Sequence, residues 1–464
     1  MRKNVWTLPA GDATLDWYAV AVAAMQKKAA TDPGSWRYQA AIHGLPDKET
    51  VPDAADAYWK KCQHASSFFL PWHRMYLLEF ERIVAAEVAA AGGPADWALP
   101  YWDYSKDAAS RLLPEAFRQP KRKDGTPNAL FVQLRSAKAN AGQPFMEERD
   151  VDLTAALDAP GTTDVGGFFG PPPTNHNGGG TLPFGALESA PHNNVHVAVG
   201  SDAVVDGKPA DGWMLDPDLA AGDPIFWLHH ANIDRLWQVW LDRDPEQHAN
   251  LTSPYWRSGV SFKFHDANGT RVSLKTEQVL DTAGPALGYK YEDTSDPLAH
   301  PPAGRRVGGP VGQHELVGAT TDAVELGEDV THVEVPTPVT ASAFAAHART
   351  GKVEHVVLRL ENVTSAHPAP VYDVYLNVPA PSAPKQHEDR FVGRASMFGI
   401  AKATLARGQH GGSGVAFAFD ITALYRRLEA AHAIDPQHLR VSFVPVRARN
   451  DAKVHVGRVS LYFA

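Results

Sequence analysis

Cysteine is almost absent: the 464 residues contain one, Cys62. A single thiol excludes an intrachain disulfide, so packing, alone or with metal, must hold the fold. No apolar run approaches the roughly 20 residues that cross a bilayer, and no membrane partner is expected. The opening MRKNVWTLPAGDATLDW lacks the apolar stretch of a secretion signal, so the expected location is cytoplasmic. Positive charge is not in excess. The formal net charge of −9 disfavours nucleic acid as a partner. What remains is an ordinary globular composition, 44% hydrophobic and 21% charged, in a chain long enough for a large domain and a smaller one. The oligomeric state stays open.

Histidine carries the information. Six of the 21 fall into two separated triplets: His43, His64 and His73, then His192, His196 and His230. Three neutral imidazoles can hold one copper ion and leave positions open for a small molecule, so two triplets imply two copper ions and oxygen chemistry. A zinc or iron hydrolase is a poor alternative, because such sites normally include carboxylates. His192 and His196 are spaced i, i+4, which puts both on one helix face, and Pro191 would start that helix. His229 and His230 point about 100° apart on a helix. His230 shares its face with Phe226, Asp234 and Trp237, an apolar face with one carboxylate suited to supporting a ligand from behind. His229 shares its side with Ile225 and Ile233, an ordinary core stripe, so His230 is chosen as ligand.

The first 300 or so residues read as mainly helical. Helical periodicity predicts helices over 14–30, 72–91 and 223–242, the last with Asp223 as N-cap and Pro224 at the first position. Residues 160–185, including GGFFGPPPTNHNGGG, read as irregular surface chain. Residues 300–312 are rich in Pro and Gly and look like a linker. Six runs then have strand character: HVEV, EHVVLRLENV, VYDVYLNV, VAFAF, LRVSFVPV and KVHVGRVSLYF. One helix over 421–434 interrupts them. The pattern predicts a β-sandwich. The expected domains are residues 1–295, a linker over 296–314, and 315–464.

Five separated motifs resemble the tyrosinase and polyphenol oxidase family. HASSFFLPWHRMYLLEFER resembles its first copper motif, and PHNNVH with DPIFWLHHANIDRLW resembles its second. SWRYQAAIHG looks like the segment supplying the first ligand. LPYWDYS, from Leu99, and LGYKYE, with Tyr289 and Tyr291, match two further family segments. The resemblance implies a mainly α catalytic domain, a four-helix bundle around a dicopper site. His43, His64 and His73 would bind one copper, and His192, His196 and His230 the other.

The same resemblance places Cys62 where fungal members form a thioether to the second ligand, here His64. It places Glu188 and Asn193 where the family positions a water that accepts a phenol proton. Val197 and Pro217 would border the substrate entrance; plant members carry a bulky Phe at the Pro217 position, so this entrance would be wider. The C-terminal part is similar, more weakly, to the domain that keeps plant polyphenol oxidases latent. Phe398, in RASMFGI, is the candidate lid residue. The leading expectation is a tyrosinase that hydroxylates monophenols and oxidises o-diphenols with dioxygen. The alternatives are a catechol or o-aminophenol oxidase without hydroxylation, and a haemocyanin-like oxygen carrier.

Overall fold

The computed structural model describes residues 1–46, 48–162, 167–171, 183–246, 248–298, 315–337, 355–367, 370–405, 412–434, 438–447 and 453–463. The expected linker thus lies almost wholly outside the described residues.

The N-terminal half is built on helices α1 (Thr14–Gln26), α2 (Trp36–His43) and α3 (Phe69–Ala90). Two single-turn helices follow, α4 (Ala137–Asn140) and α5 (Thr154–Leu157), then α6 (Asn194–Gly200) and α7 (Pro224–Arg243). α3 starts three residues earlier than its periodicity predicts, because Pro71 is tolerated inside a first turn whose N–H groups have no helical partner. It stops at Gly92, whose φ of +83° only glycine adopts cheaply, and the Gly93 N–H closes back on Val88. α7 begins as its sequence predicts: the Asp223 carboxylate accepts the Ile225 N–H at 3.0 Å, and Pro224 follows. The same carboxylate holds the buried Arg135 guanidinium, which ties the helix start to the loop before α4.

α3 and α7 cross at the centre of the first core, with Phe80 and Trp227 stacked between them. Residues 168 and 169 depart from the expected surface chain. Phe168 stacks on Trp240 at 4.3 Å and Phe169 meets Trp237, so this segment seals the end of α7. No described helix is long and apolar enough to cross a membrane.

Two small hairpins belong to this half: β1 (Ala203–Val205) with β2 (Lys208–Ala210), and β3 (Ser261–His265) with β4 (Arg271–Lys275). The C-terminal half is two stacked antiparallel sheets. One has the order β10-β9-β12-β7 and the other β11-β8-β13-β5, with β6 also on β13. The strands are β5 (Glu315–Ala319), β6 (Val324–Leu326), β7 (Thr331–Pro336), β8 (Val356–Thr364), β9 (Val371–Leu376), β10 (Phe391–Ser396), β11 (Val415–Asp420), β12 (His438–Arg447) and β13 (Val454–Phe463). The six sequence-predicted strands are all present; β5, β6 and β10 are additions. The predicted helix spans Thr422–Ala430.

The two halves meet closely. Ala65, Phe184, Val197 and Leu215 of the helical half pack into the apolar core of the sandwich. Pro183 bridges Ala416 on the β11 edge, and the Phe184 and Phe417 rings lie 5.9 Å apart.

Candidate metal centre

Four helical elements and one loop converge their imidazoles. His43 is the last residue of α2, His73 lies in α3, His196 in α6 and His230 in α7. His64 sits in the loop before α3. His192 follows Pro191, which starts a helical turn after the extended Ala190 and runs on into α6. Two clusters result: His43, Cys62, His64 and His73, then His192, His196, His229 and His230. Within each, one donor atom per residue lies within 4.8 Å of the others. The clusters face one another, with the His73 and His230 rings stacked at 4.4 Å.

The hydrogen bonds show what these rings are prepared for. His43 Nδ1 meets Pro217 O at 2.7 Å, His73 Nδ1 meets Phe69 O at 2.8 Å and His196 Nδ1 meets Met214 O at 2.9 Å. A carbonyl only accepts, so each Nδ1 carries the hydrogen and each Nε2 keeps its lone pair. Asn193 Oδ1 does the same for His192 at 2.8 Å. The Nε2 atoms of His43 and His192 are buried with no partner. Burial lowers the pKa of every ring in both clusters, His43 and His192 to about 3, so all are neutral. Buried neutral imidazoles with fixed tautomers and orphaned converging nitrogens suit a soft divalent or monovalent metal. Copper fits this donor set.

The neighbours of the rings are equally specific. Cys62 Sγ lies nearly equidistant from the two nitrogens of His64, at 3.6 and 3.7 Å, and 3.4 Å from His73 Nε2. Phe226 packs edge-on to His43 at 4.9 Å and against His230 at 4.2 Å. Glu188 is buried, and both its oxygens accept the Ala65 N–H, at 2.9 and 3.1 Å. Burial pushes its carboxyl up to about 8 against those hydrogen bonds. The Asn193 Nδ2 is buried without a partner.

Asp234 requires a correction. Its carboxylate takes Arg74 at 2.5 Å, Arg2, Tyr289 at 2.5 Å and Tyr291 at 2.6 Å. No described contact runs from it to His230. It clamps α7 to α3 and to the Tyr289–Tyr291 segment instead. His229 also departs from a plain core stripe, since its ring belongs to the second cluster.

The mouth of the site is closed by the sandwich. Phe398 stacks on His196 with ring centres 4.2 Å apart, and its edge meets His192 at 5.7 Å and His64 at 5.9 Å. Val197 is fully buried beneath it. The space that Pro217 leaves is taken by the Gly399 turn: a Cβ on Gly399 would sit 3.2 Å from the Pro217 ring. A narrow cleft remains, bordered by His43, Lys60, His64, Pro217, Phe398 and Lys402. Lys402 is paired with Asp218. Neither Lys402 nor Phe184 was singled out in the sequence, because contacts across a domain boundary leave no local periodicity.

Comparison with known proteins agrees with this geometry. A profile described as the common central domain of tyrosinase matches residues 33–243, one described as the polyphenol oxidase middle domain matches 258–301, and a domain of unknown function matches 313–464. Tyrosinase HcTyr1 of Hahella sp. is 35% identical over 99% of this chain and 98% of its own length. The chloroplastic polyphenol oxidase of Spinacia oleracea is 29% identical over 61% of this chain and 45% of its own. The chain therefore spans about half the length of that plant relative. Among solved structures, a latent apple tyrosinase superposes over all of this chain and 97% of its own, with TM-score 0.65 and 24% identity, which shows a shared fold. Paired histidine clusters, motifs in order and end-to-end identity with a curated tyrosinase together place this chain in the tyrosinase and polyphenol oxidase family of copper oxidases.

Proposed function

We propose that the chain is a tyrosinase in the full sense, hydroxylating monophenols to o-diphenols and oxidising these to o-quinones with dioxygen, and that it is held closed by its C-terminal sandwich. One copper ion would be held by His43, His64 and His73 and a second by His192, His196 and His230; together they would bind dioxygen and supply its oxidising power. The protein's own groups do the rest. Phe226, the carbonyls at the Nδ1 atoms of His43, His73 and His196, and the Asn193 amide at His192 hold these rings in place, and the apolar mouth around Val197 accepts a phenol ring and excludes water.

The observation that carries the hydroxylation step is Asn193. Its Oδ1 is fixed by His192, which leaves the buried Nδ2 free to donate to a water beside the buried Glu188 carboxyl. Such a water can accept the phenol proton before the ring is hydroxylated. A catechol is more acidic than a monophenol and depends less on this help. Asn193→Gly and Glu188→Gln should therefore lower tyrosine hydroxylation about a hundredfold more than diphenol oxidation, the low end of the usual range for proton transfer. The check is initial rates on both substrates with copper content matched. Equal losses would leave the catechol oxidase reading in its place.

The Cys62 sulfur, nearly equidistant from the two His64 nitrogens, supports a thioether to the carbon between them, which would lock that imidazole. Phe398 over His196 supports the closed form.

A further inference from the structure

The Leu99–Ser105 segment, LPYWDYS, has no role in the chemistry so far, yet it is stapled along α7 at the second histidine cluster. The Trp102 N–H donates to Leu228 O at 3.1 Å, and Asp103 pairs with Arg235 at 3.3 Å. The Arg235 guanidinium lies over the Tyr101 ring. Between these two staples, the Tyr104 hydroxyl meets His229 Nδ1 at 3.2 Å. Tyr104 and His229 are both fully buried.

The His229 ring lies nearly parallel to His192 at 5.3 Å, with an interplanar angle of 24°, and edge-on to His196 at 5.0 Å. It therefore fills the angle between two rings of the cluster. His192 and His196 are held at Nδ1, by Asn193 Oδ1 and Met214 O, and anchoring at that one edge leaves a ring able to rock. A packed third ring removes that freedom. His229 can do this only if it is itself held, and Tyr104 is what holds it. With the phenol O–H donating to Nδ1, Nε2 bears the hydrogen and has no lone pair for a metal.

We propose that Tyr104 and His229 are positioning residues of the second copper site: the Tyr104 hydroxyl fixes His229, and the His229 ring fixes His192 and His196 with their Nε2 atoms converged. This rests on the copper reading above. It gives the LPYWDYS motif a task, bracing the second metal from behind.

The test uses full-length wild type, Tyr104→Phe and His229→Gln, each metal-free and copper-loaded. Copper content, melting temperature of both forms and the rate of copper removal by EDTA are measured. All three proteins should hold two copper ions. In the variants the metal-free melting temperature stays at the wild-type value, the rise on copper loading shrinks, and one of the two ions leaves about tenfold faster, in line with losses from support behind a ligand. The kcat for a diphenol falls at unchanged KM. A lower metal-free melting temperature with wild-type copper release would make the pair ordinary core packing and overturn the proposal. So would His229→Gln protein holding one copper ion, which would make His229 a ligand. Wild type that fails to hold two copper ions would instead defeat the copper reading itself.

Discussion

The residues of this site are distinguished less by type than by what stands behind them. Five of the six proposed ligands were legible as an i, i+4 pair, a motif match or both, and His230 over His229 followed from the helix face. What the sequence could not show was which groups hold the Nδ1 atoms. Those of His43, His73 and His196 are backbone carbonyls, which have no residue signature. Asp234 misled for the same reason: one turn from His230, it was free to turn toward Arg74 and Arg2. Cys62 offers a direct test at this scale. Joining its sulfur to the His64 ring carbon would break one S–H and one C–H bond, with dioxygen as the oxidant that takes up the two electrons and two protons. Copper-loaded, oxygen-exposed protein should be two hydrogens lighter than its sequence, with the loss mapped by peptide mass to the fragment containing Cys62 and His64. A Cys62 that alkylates freely after denaturation of active enzyme defeats the expectation.

Among the elements, β10 was the least visible in the sequence and does the most at the interface. FVGRAS is short, polar and broken by a bulge near Gly393, so it lacks the apolar alternation that revealed β8, β9 and β13. Its alternation is real but serves docking. Arg394 and Ser396 are two residues apart in the strand and point the same way, and the turn that follows carries Phe398 to the same side. Arg394 reaches Glu147 and Asp150, the Ser396 hydroxyl donates to Asn193 O at 3.2 Å, and Phe398 covers His196. An edge strand that would be a liability in solvent is buried against the catalytic half. If Phe398 is what fills the substrate position, Phe398→Ala should let the intact protein oxidise a small diphenol at least tenfold faster, while a bulkier phenol gains less. Unchanged rates on both, at equal copper content, would assign the closure to some other part of the sandwich.

At the scale of the whole molecule, the sandwich is held on by a buried ion cluster as well as by apolar contact. Asp150 of the catalytic half receives Arg394 at 2.7 Å and Arg447 at 2.7 Å. Arg149 answers from the other side, reaching Asp373 at 3.0 Å and the Tyr375 hydroxyl at 2.9 Å. The groups facing the Asp150 carboxylate are Arg394, Arg447 and the Glu147 N–H, and no histidine is among its described partners. Burial alone would raise its pKa, but Arg447 and Arg394 outweigh burial and hold it below the usual carboxylate value. A depressed folded-state pKa contributes stability that is present above the ordinary carboxylate range and lost only as pH falls through the lowered value. The general abundance of histidine is thus a poor guide to acid opening. Incubation near about pH 5.5, where histidines titrate, should leave the protein closed, whereas about pH 3 should open it, with diphenol oxidation then assayed at one neutral pH. Asp150→Asn should open it without acid. Removing one partner of a buried pair costs about 3–5 kcal/mol, enough to shift a closed-to-open ratio more than about a hundredfold. Its intact rate should approach that of protein cut within residues 299–314. If Asp150→Asn stays as slow as wild type, or if mild acid alone opens the wild type, the ion cluster is not what keeps the sandwich in place.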